Sequence, residues 1–97
     1  MNTTRFLLPA EIEMVEAAVY YEVQVRGLGA AFLAKTESAV RDVAARPQAW
    51  PIMRNGIRKR LVHRFPYAVL YRPDPDEIVV VAVMHQRRRP GYWLGRM

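Results

Sequence analysis

The sequence predicts a single α+β domain over residues 1–97, in which an antiparallel helical hairpin covers one face of a largely antiparallel sheet. Two consecutive segments have apolar residues at helical spacing, and only a short glycine-containing connection separates them. The second half is rich in β-branched residues and turn signals, which is typical of strands. A chain of 97 residues suits one hydrophobic core. The predicted order of elements is therefore β-α-α-β-β-β-β.

The first half begins with a short apolar segment, Arg5–Leu8, which we interpret as an N-terminal strand ended by Pro9. A helix is predicted over Ala10–Arg26, because proline is tolerated at a helix start and glutamates crowd the first turns. The apolar residues of this helix recur at helical spacing and form one stripe, which consists of Ile12, Val15, Val19 and Val23.

A second helix is predicted over Leu28–Arg46, and Pro47 ends it. Gly27 and Gly29 separate the two helices, and so short a connection requires them to run antiparallel. We expect the sheet to cover the apolar stripe of this hairpin, because an amphipathic face needs a partner layer.

Four strands are predicted in the second half of the chain. The segment Trp50–Met53 is expected to be an edge strand, since Pro51 has no backbone N–H for a ladder. Asn55-Gly56 is a strong hairpin signal. The other three strands are predicted over Ile57–Arg64, Tyr67–Arg72 and Ile78–Met84. The last of them is apolar enough to be central and buried on both faces.

The positive charge of the chain is concentrated in its second half. Residues 1–53 carry five Lys/Arg and six Asp/Glu, for a net charge of −1. Residues 54–97 carry ten Lys/Arg and three Asp/Glu, for a net charge of +7, which gives the whole chain +6. Such asymmetry indicates a polyanionic partner, which can be a nucleic acid or an acidic protein surface.

Several classes of protein are excluded by what the sequence lacks. The chain has no cysteine, which excludes disulfides and thiolate metal sites and fits a reducing cytosol. His63 and His85 are far apart and have no carboxylates at ligand spacing, so we expect no metal and no cofactor. No apolar run approaches the ~20 residues that a membrane helix needs, and no secretory signal is visible. We therefore expect a cytoplasmic protein with no membrane partner.

A series of short motifs, in this order, resembles the RelE/ParE superfamily of type II toxins, and it is closer to the ParE-like group. The resemblance covers nearly the whole chain. The motifs are Tyr20-Tyr21-Glu22, Gly27-Leu28-Gly29, Phe32, Pro47, Trp50-Pro51, the basic segment Arg58–Arg64, Phe65-Pro66-Tyr67, Tyr71, Ile78–Val83, His85, Arg87-Arg88 and Pro90-Gly91-Tyr92-Trp93.

The resemblance implies a small cytoplasmic toxin that a cognate antitoxin holds inactive in a hetero-oligomer. ParE-like members of the superfamily poison DNA gyrase without catalysing a reaction, and this is the function that we expect. RelE-like members enter the ribosomal A site and cut mRNA, so a ribosome-dependent endoribonuclease is the alternative. A basic binding module, or an inactive member kept for autoregulation, is a third interpretation.

The candidate target-binding residues are arginines with neighbouring aromatic residues, a combination that suits nucleic acid and also suits acidic protein surfaces. Alternation along the predicted strand places three of these arginines on one face. The aromatic pair in the tail can instead fold back and cap the core. The candidates are Arg58, Arg60, Arg64, Arg87, Arg88, Arg89, Tyr92 and Trp93.

A ribonuclease of the RelE kind would need an acid, a base and a group that stabilises the phosphorane charge. The candidates for these roles are His85, Arg64, Arg87 and Tyr92. His85 is the best candidate acid or base because histidine is the side chain that most often transfers protons in catalysis, although a structural histidine that orders the tail is the favoured interpretation. His63 is expected to be partly buried, because it shares a predicted strand face with Ile57 and Leu61.

Overall fold

A computed structural model describes residues 3–97 of the chain. The helices and strands, in chain order, are β1 (Thr3–Phe6), α1 (Leu8–Gln24), α2 (Leu28–Ala45), β2 (Arg58–Leu61), β3 (Tyr67–Pro73) and β4 (Glu77–His85). One turn of 3-10 helix, Leu94–Arg96, lies near the C-terminus. The helical hairpin and the sheet confirm the predicted α+β fold. None of the helices described over residues 3–97 is both long and apolar enough to span a membrane.

The four strands form one mixed sheet in the order β1-β4-β3-β2. β1 runs parallel to β4, whereas the other two pairs are antiparallel. The central strand β4 is buried along most of its length, as its apolar sequence predicts. At the N-terminus, β1 ends at Phe6 rather than Leu8, because α1 begins at Leu8 with Pro9 in its first turn.

The strand predicted over Trp50–Met53 is absent. Only an isolated bridge joins Ile52 to Arg58 at the edge of β2. Pro51 accepts a hydrogen bond from the backbone N–H of Lys59 at 3.1 Å but has no N–H to donate in return. The segment therefore shields the edge of β2 without extending the ladder.

A bulge in β4 decides which of its residues face the helices. Leu70 pairs with Ala82, whereas the next residue along β3, Tyr71, pairs with Val80. Val81 is therefore an extra residue on β4, and the alternation of faces shifts there. As a result Val80 and Val83, three positions apart, both belong to the core beneath the helices.

α1 packs on the sheet through small side chains. Ala10, Ala17 and Ala18 are buried in one cluster with Val80 and Val83 of β4. Because alanine extends so little from the backbone, the helix can lie close to the strands. The buried face of α1 is therefore its alanine face, which hydrophobicity alone does not single out.

The prediction that the sheet covers the apolar stripe of α1, Ile12, Val15, Val19 and Val23, is wrong. Since each helical residue turns by about 100°, the stripe lies roughly opposite the alanine face and points away from the sheet. We call this surface the α1 stripe. The exposed fractions of its members are 67% for Leu8, 47% for Ile12, 50% for Val15, 57% for Val19 and 79% for Val23.

The two helices meet closely at the glycines between them. Gly27 has a φ of 89°, in the left-handed region that favours glycine. Gly29 faces α1 so tightly that a Cβ atom would collide with the carbonyl oxygen of Ala18. The Glu22 carboxylate accepts the backbone N–H groups of Gly27 at 2.8 Å and Gly29 at 3.0 Å, which satisfies donors at the start of α2.

Candidate target-binding surface

Two of the predicted target-binding arginines, Arg58 and Arg60, instead make contacts within the fold. Arg58 donates to the Gln48 side-chain oxygen and to the Trp50 carbonyl oxygen, both at 2.6 Å. Arg60 pairs with Asp42 of α2 at 2.8 Å, and its guanidinium lies 5.1 Å from the Trp50 ring centroid. These contacts fix the connection between α2 and β2, so both guanidinium groups are partly withdrawn from the surface.

Arg64 does not share a strand face with those two arginines. β2 ends at Leu61, and Arg64 lies in the following turn with a φ of 73°. A left-handed residue cannot continue the alternation of a strand, so the prediction of three arginines on one face is wrong. His63 lies in the same turn and is exposed, in contrast to its expected partial burial.

The turn after β2 adjoins the end of β4. The Gln86 backbone N–H donates to the Pro66 carbonyl oxygen at 2.8 Å, and Tyr67 pairs with His85. This end of the sheet therefore gathers four exposed arginines, none of which has an ion pair within residues 3–97. We call this surface the basic end, and it consists of Arg64, Arg87, Arg88 and Arg89.

His85 ends β4 and is half-buried. Its ring lies edge-on to Tyr67, with 5.1 Å between the ring centroids. Its Nδ1 accepts a hydrogen bond from the backbone N–H of Arg87 at 3.0 Å. These two contacts orient the imidazole and fix the start of the tail, which is the arrangement expected of a structural histidine.

The predicted aromatic pair of the tail divides between surface and core. Trp93 is 2% exposed and packs against the face of the sheet opposite the helices, in a cluster with Ile57 and Leu70. It therefore caps the core, which is the alternative that the sequence leaves open for this residue. Tyr92 is half-buried, with the guanidinium of Arg88 4.2 Å from its ring centroid.

A buried cluster around Glu13 ties the tail to α1. Arg96 pairs with the Glu13 carboxylate at 2.8 Å, and the Tyr92 hydroxyl donates to the same carboxylate at 2.7 Å. Glu13 also accepts the backbone N–H of Val83 at 3.1 Å, and Arg96 donates to the Val81 carbonyl oxygen at 3.0 Å. β1 leaves the sheet before these positions, so the cluster satisfies the free edge of β4.

The electrostatics of this cluster keep Glu13 ionised. Burial disfavours its charge, but hydrogen bonds from Arg96, Tyr92 and Val83 outweigh burial and lower the pKa of Glu13. Burial, followed by the contact with the Glu13 carboxylate, raises the pKa of Tyr92. The sequence gives no local signal for this cluster, because its members are up to 83 residues apart.

A cleft of about 250 Å³ lies beside this cluster, between α1 and the tail. It brings His85 close to carboxylate and phenol groups that are distant from it along the chain. The lining residues that carry polar groups are Glu13, Glu16, Tyr20, Tyr67, His85, Arg88 and Tyr92. Arg64 does not line the cleft, so the four candidates for ribonuclease chemistry are not gathered around one point.

Comparison with known proteins decides the family. A family model described as the ParE toxin of type II toxin-antitoxin systems, parDE, matches residues 5–90. The chain belongs to the ParE toxin family. A solved structure titled "Chromosomal ParDE TA system from P. aeruginosa" has a TM-score of 0.65 and 18% identity, and the match covers 88% of this chain and 96% of that chain. No curated protein matches the sequence.

This ParE toxin therefore is a type II toxin, and its family implies an antitoxin as its partner. The match to the solved structure shows that the two proteins share a fold. In the toxin described here, residues 3–97 hold no group of three or more His, Cys, Asp or Glu side chains that could bind a metal ion. The surfaces that a partner could contact are the basic end, the α1 stripe and the cleft beside Glu13.

Proposed function

We propose that this ParE toxin acts in the cytoplasm, where it inhibits growth by binding DNA gyrase through the basic end without catalysing a reaction. The observation that carries the proposal is the basic end, where four exposed arginines have no carboxylate partner within residues 3–97. Arginine binds carboxylates in a bidentate manner, and exposed charges accelerate association with an oppositely charged surface.

We also propose that the cognate antitoxin covers the α1 stripe and forms a hetero-oligomer with the toxin. Five large apolar side chains on one helical face, each at least 47% exposed, form a surface that favours a helix-in-groove or extended partner. Glu11 and Glu16 border the stripe and are exposed. The antitoxin segment is therefore expected to carry an apolar face flanked by basic residues.

A ribosome-dependent endoribonuclease is the second candidate function, and one observation favours it. His85, Glu16 and Arg88 line a single cleft, so an acid, a base and a positive charge lie near one another. The contact between His85 Nδ1 and the Arg87 backbone favours a structural role instead. We therefore keep gyrase as the proposed target.

Two assays run side by side distinguish the candidates. The purified toxin is added to gyrase with relaxed plasmid, and separately to translating ribosomes with a defined message. The proposal predicts inhibited supercoiling and an uncut message in primer extension. Cleavage within codons together with unimpaired supercoiling would establish the ribonuclease and exclude gyrase poisoning.

A further inference from the structure

A second basic surface lies between α2 and the turn that joins β2 to β3. It is a groove of about 460 Å³, and no carboxylate is among its lining residues. We call it the basic groove. The polar residues that line it are Lys35, Ser38, Arg60, His63 and Arg64. Lys35 and His63 have no place in the proposed gyrase contact.

The groove has positive charge that the fold does not compensate. Asp42 lies nearby, but Arg60 pairs with it at 2.8 Å and neutralises it. Lys35 and Arg64 form no ion pair within residues 3–97. Lys35 is half-buried and Arg64 is exposed, so two cations face the groove from opposite walls. Such a site attracts an anion with at least two negative groups.

The groove continues into the basic end. Arg64 belongs to both, and the turn that carries it is hydrogen-bonded to Gln86, immediately before Arg87–Arg89. A small anion would occupy only one part of this surface. A long, linear polyanion can contact Lys35, Arg64 and the tail arginines together, so the arrangement favours a polymer.

The lining residues favour a sugar-phosphate backbone over unstacked bases. Proteins that bind single strands place exposed aromatic rings where bases can stack, and no aromatic residue lines this groove. Tyr21 and Phe65 line the pocket that adjoins it at Lys35 and Arg64, but both rings are half-buried and pack on each other and on Phe32. A duplex instead presents its phosphates outward, where lysine and arginine can reach them. The Ser38 hydroxyl is a further donor of the kind that contacts phosphate oxygens.

We propose that the basic groove binds the phosphate backbone of a nucleic-acid duplex, with Lys35 and Arg64 contacting phosphates on opposite sides of the groove. The proposed contact is independent of base sequence, because phosphates are the same at every base pair. The proposal goes beyond gyrase as the target, since the groove can bind a duplex whether or not gyrase is the protein that the toxin poisons.

Fluorescence anisotropy with a labelled 20-base-pair DNA duplex tests the proposal, using the full-length toxin at several salt concentrations. The test variant is Lys35→Gln with Arg64→Gln. The control is Arg26→Gln with Arg54→Gln, which removes two exposed arginines that do not line the groove. The test variant is expected to bind about tenfold more weakly, and its salt slope is expected to fall by roughly 2, because each phosphate contact contributes about 0.9. The control is expected to behave as the unmodified chain does.

Three outcomes would overturn the proposal. The first is that the control variant weakens duplex binding as much as the test variant does, which would show only a general effect of net charge. A labelled single strand of the same length can bind more tightly than the duplex. An acidic polypeptide, poly-glutamate, can bind the groove in a Lys35-dependent way while the duplex does not, which would assign the groove to a protein partner. Circular dichroism of each variant separates these outcomes from loss of folding.

Discussion

Tyr92 donates its hydroxyl to the Glu13 carboxylate at 2.7 Å, across 79 positions of the sequence. This contact and the Arg96–Glu13 ion pair fasten the C-terminal tail to the first helix. The same carboxylate satisfies the backbone of Val83, so one glutamate joins α1, β4 and the tail. The position of the three tail arginines of the basic end, Arg87–Arg89, therefore depends on a residue near the start of the chain.

Replacing Glu13 is expected to destabilise the toxin. Glu13→Gln leaves Arg96 without its partner, and the two side chains are only 14% and 16% exposed. Breaking such a pair is expected to cost about 2 kcal/mol of unfolding free energy, somewhat less than for a fully buried pair. Urea unfolding measures the change. Glu77→Gln, which removes the exposed ion pair with Arg5, is the control and is expected to have a smaller effect. Equal effects of the two changes would contradict a structural role for the cluster.

The pH dependence of stability should reflect the lowered pKa of Glu13. Such a carboxyl contributes stability at pH values above its ordinary unfolded pKa, and this contribution is lost as the pH falls through the lowered folded pKa. Between about pH 5 and pH 3, the unfolding free energy of the unmodified chain should therefore fall more steeply than that of Glu13→Gln. Glu22 and Asp74 also have lowered pKa values, but both proteins retain them. Parallel curves in urea unfolding at several pH values would contradict this prediction.

The α1 stripe can be tested by making it polar. Val15→Ser with Val19→Ser should change stability little, because both side chains are at least 50% exposed and serine and valine have similar helix propensities. Binding of the antitoxin from the adjacent gene should weaken by tenfold or more in isothermal titration, since two buried apolar contacts are lost. Ile52→Ser, which is 60% exposed and lies beside the edge strand β2, is the control. Unchanged affinity of the double variant would place the antitoxin elsewhere.

His85→Gln should leave most of the toxicity intact. A glutamine oxygen can still accept the Arg87 backbone N–H that His85 Nδ1 accepts, and loss of one such contact costs about 1 kcal/mol. Loss of a general acid or base would instead lower a rate roughly a hundredfold or more. Growth after induction is the readout, with circular dichroism to confirm folding. A folded but harmless variant would make His85 a catalytic candidate and favour the ribonuclease.

The sequence predicts the layers of this fold well, because helical spacing, glycine punctuation and an apolar strand are local signals. It fails on which face of α1 is buried. Hydrophobicity favours the valine stripe, but close packing on the sheet requires small side chains, so Ala10, Ala17 and Ala18 face inward. Only the structure shows that the alanine face of α1 covers the sheet and that the apolar α1 stripe is left free for a partner.

The candidate surface was predictable only in part. Arginines at 87–89 follow a buried strand, so their exposure follows from position alone. The structural use of Arg58 and Arg60 depends on Gln48, Trp50 and Asp42 across a loop, and no spacing rule identifies such contacts. The end of β2 at Leu61 likewise depends on the left-handed Arg64, which breaks an alternation that the sequence continues.

Inhibition of gyrase supercoiling by the purified toxin tests the central claim most directly. The proposed function predicts a dose-dependent loss of supercoiled plasmid, which equimolar antitoxin prevents. Arg87→Ala with Arg88→Ala and Arg89→Ala should abolish the inhibition, since it removes three of the four arginines of the basic end. A variant with Arg26, Arg41 and Arg54 changed to alanine loses the same charge elsewhere on the exposed surface and should still inhibit. Full supercoiling in the presence of excess folded toxin, or inhibition that survives the tail substitutions, would contradict the account.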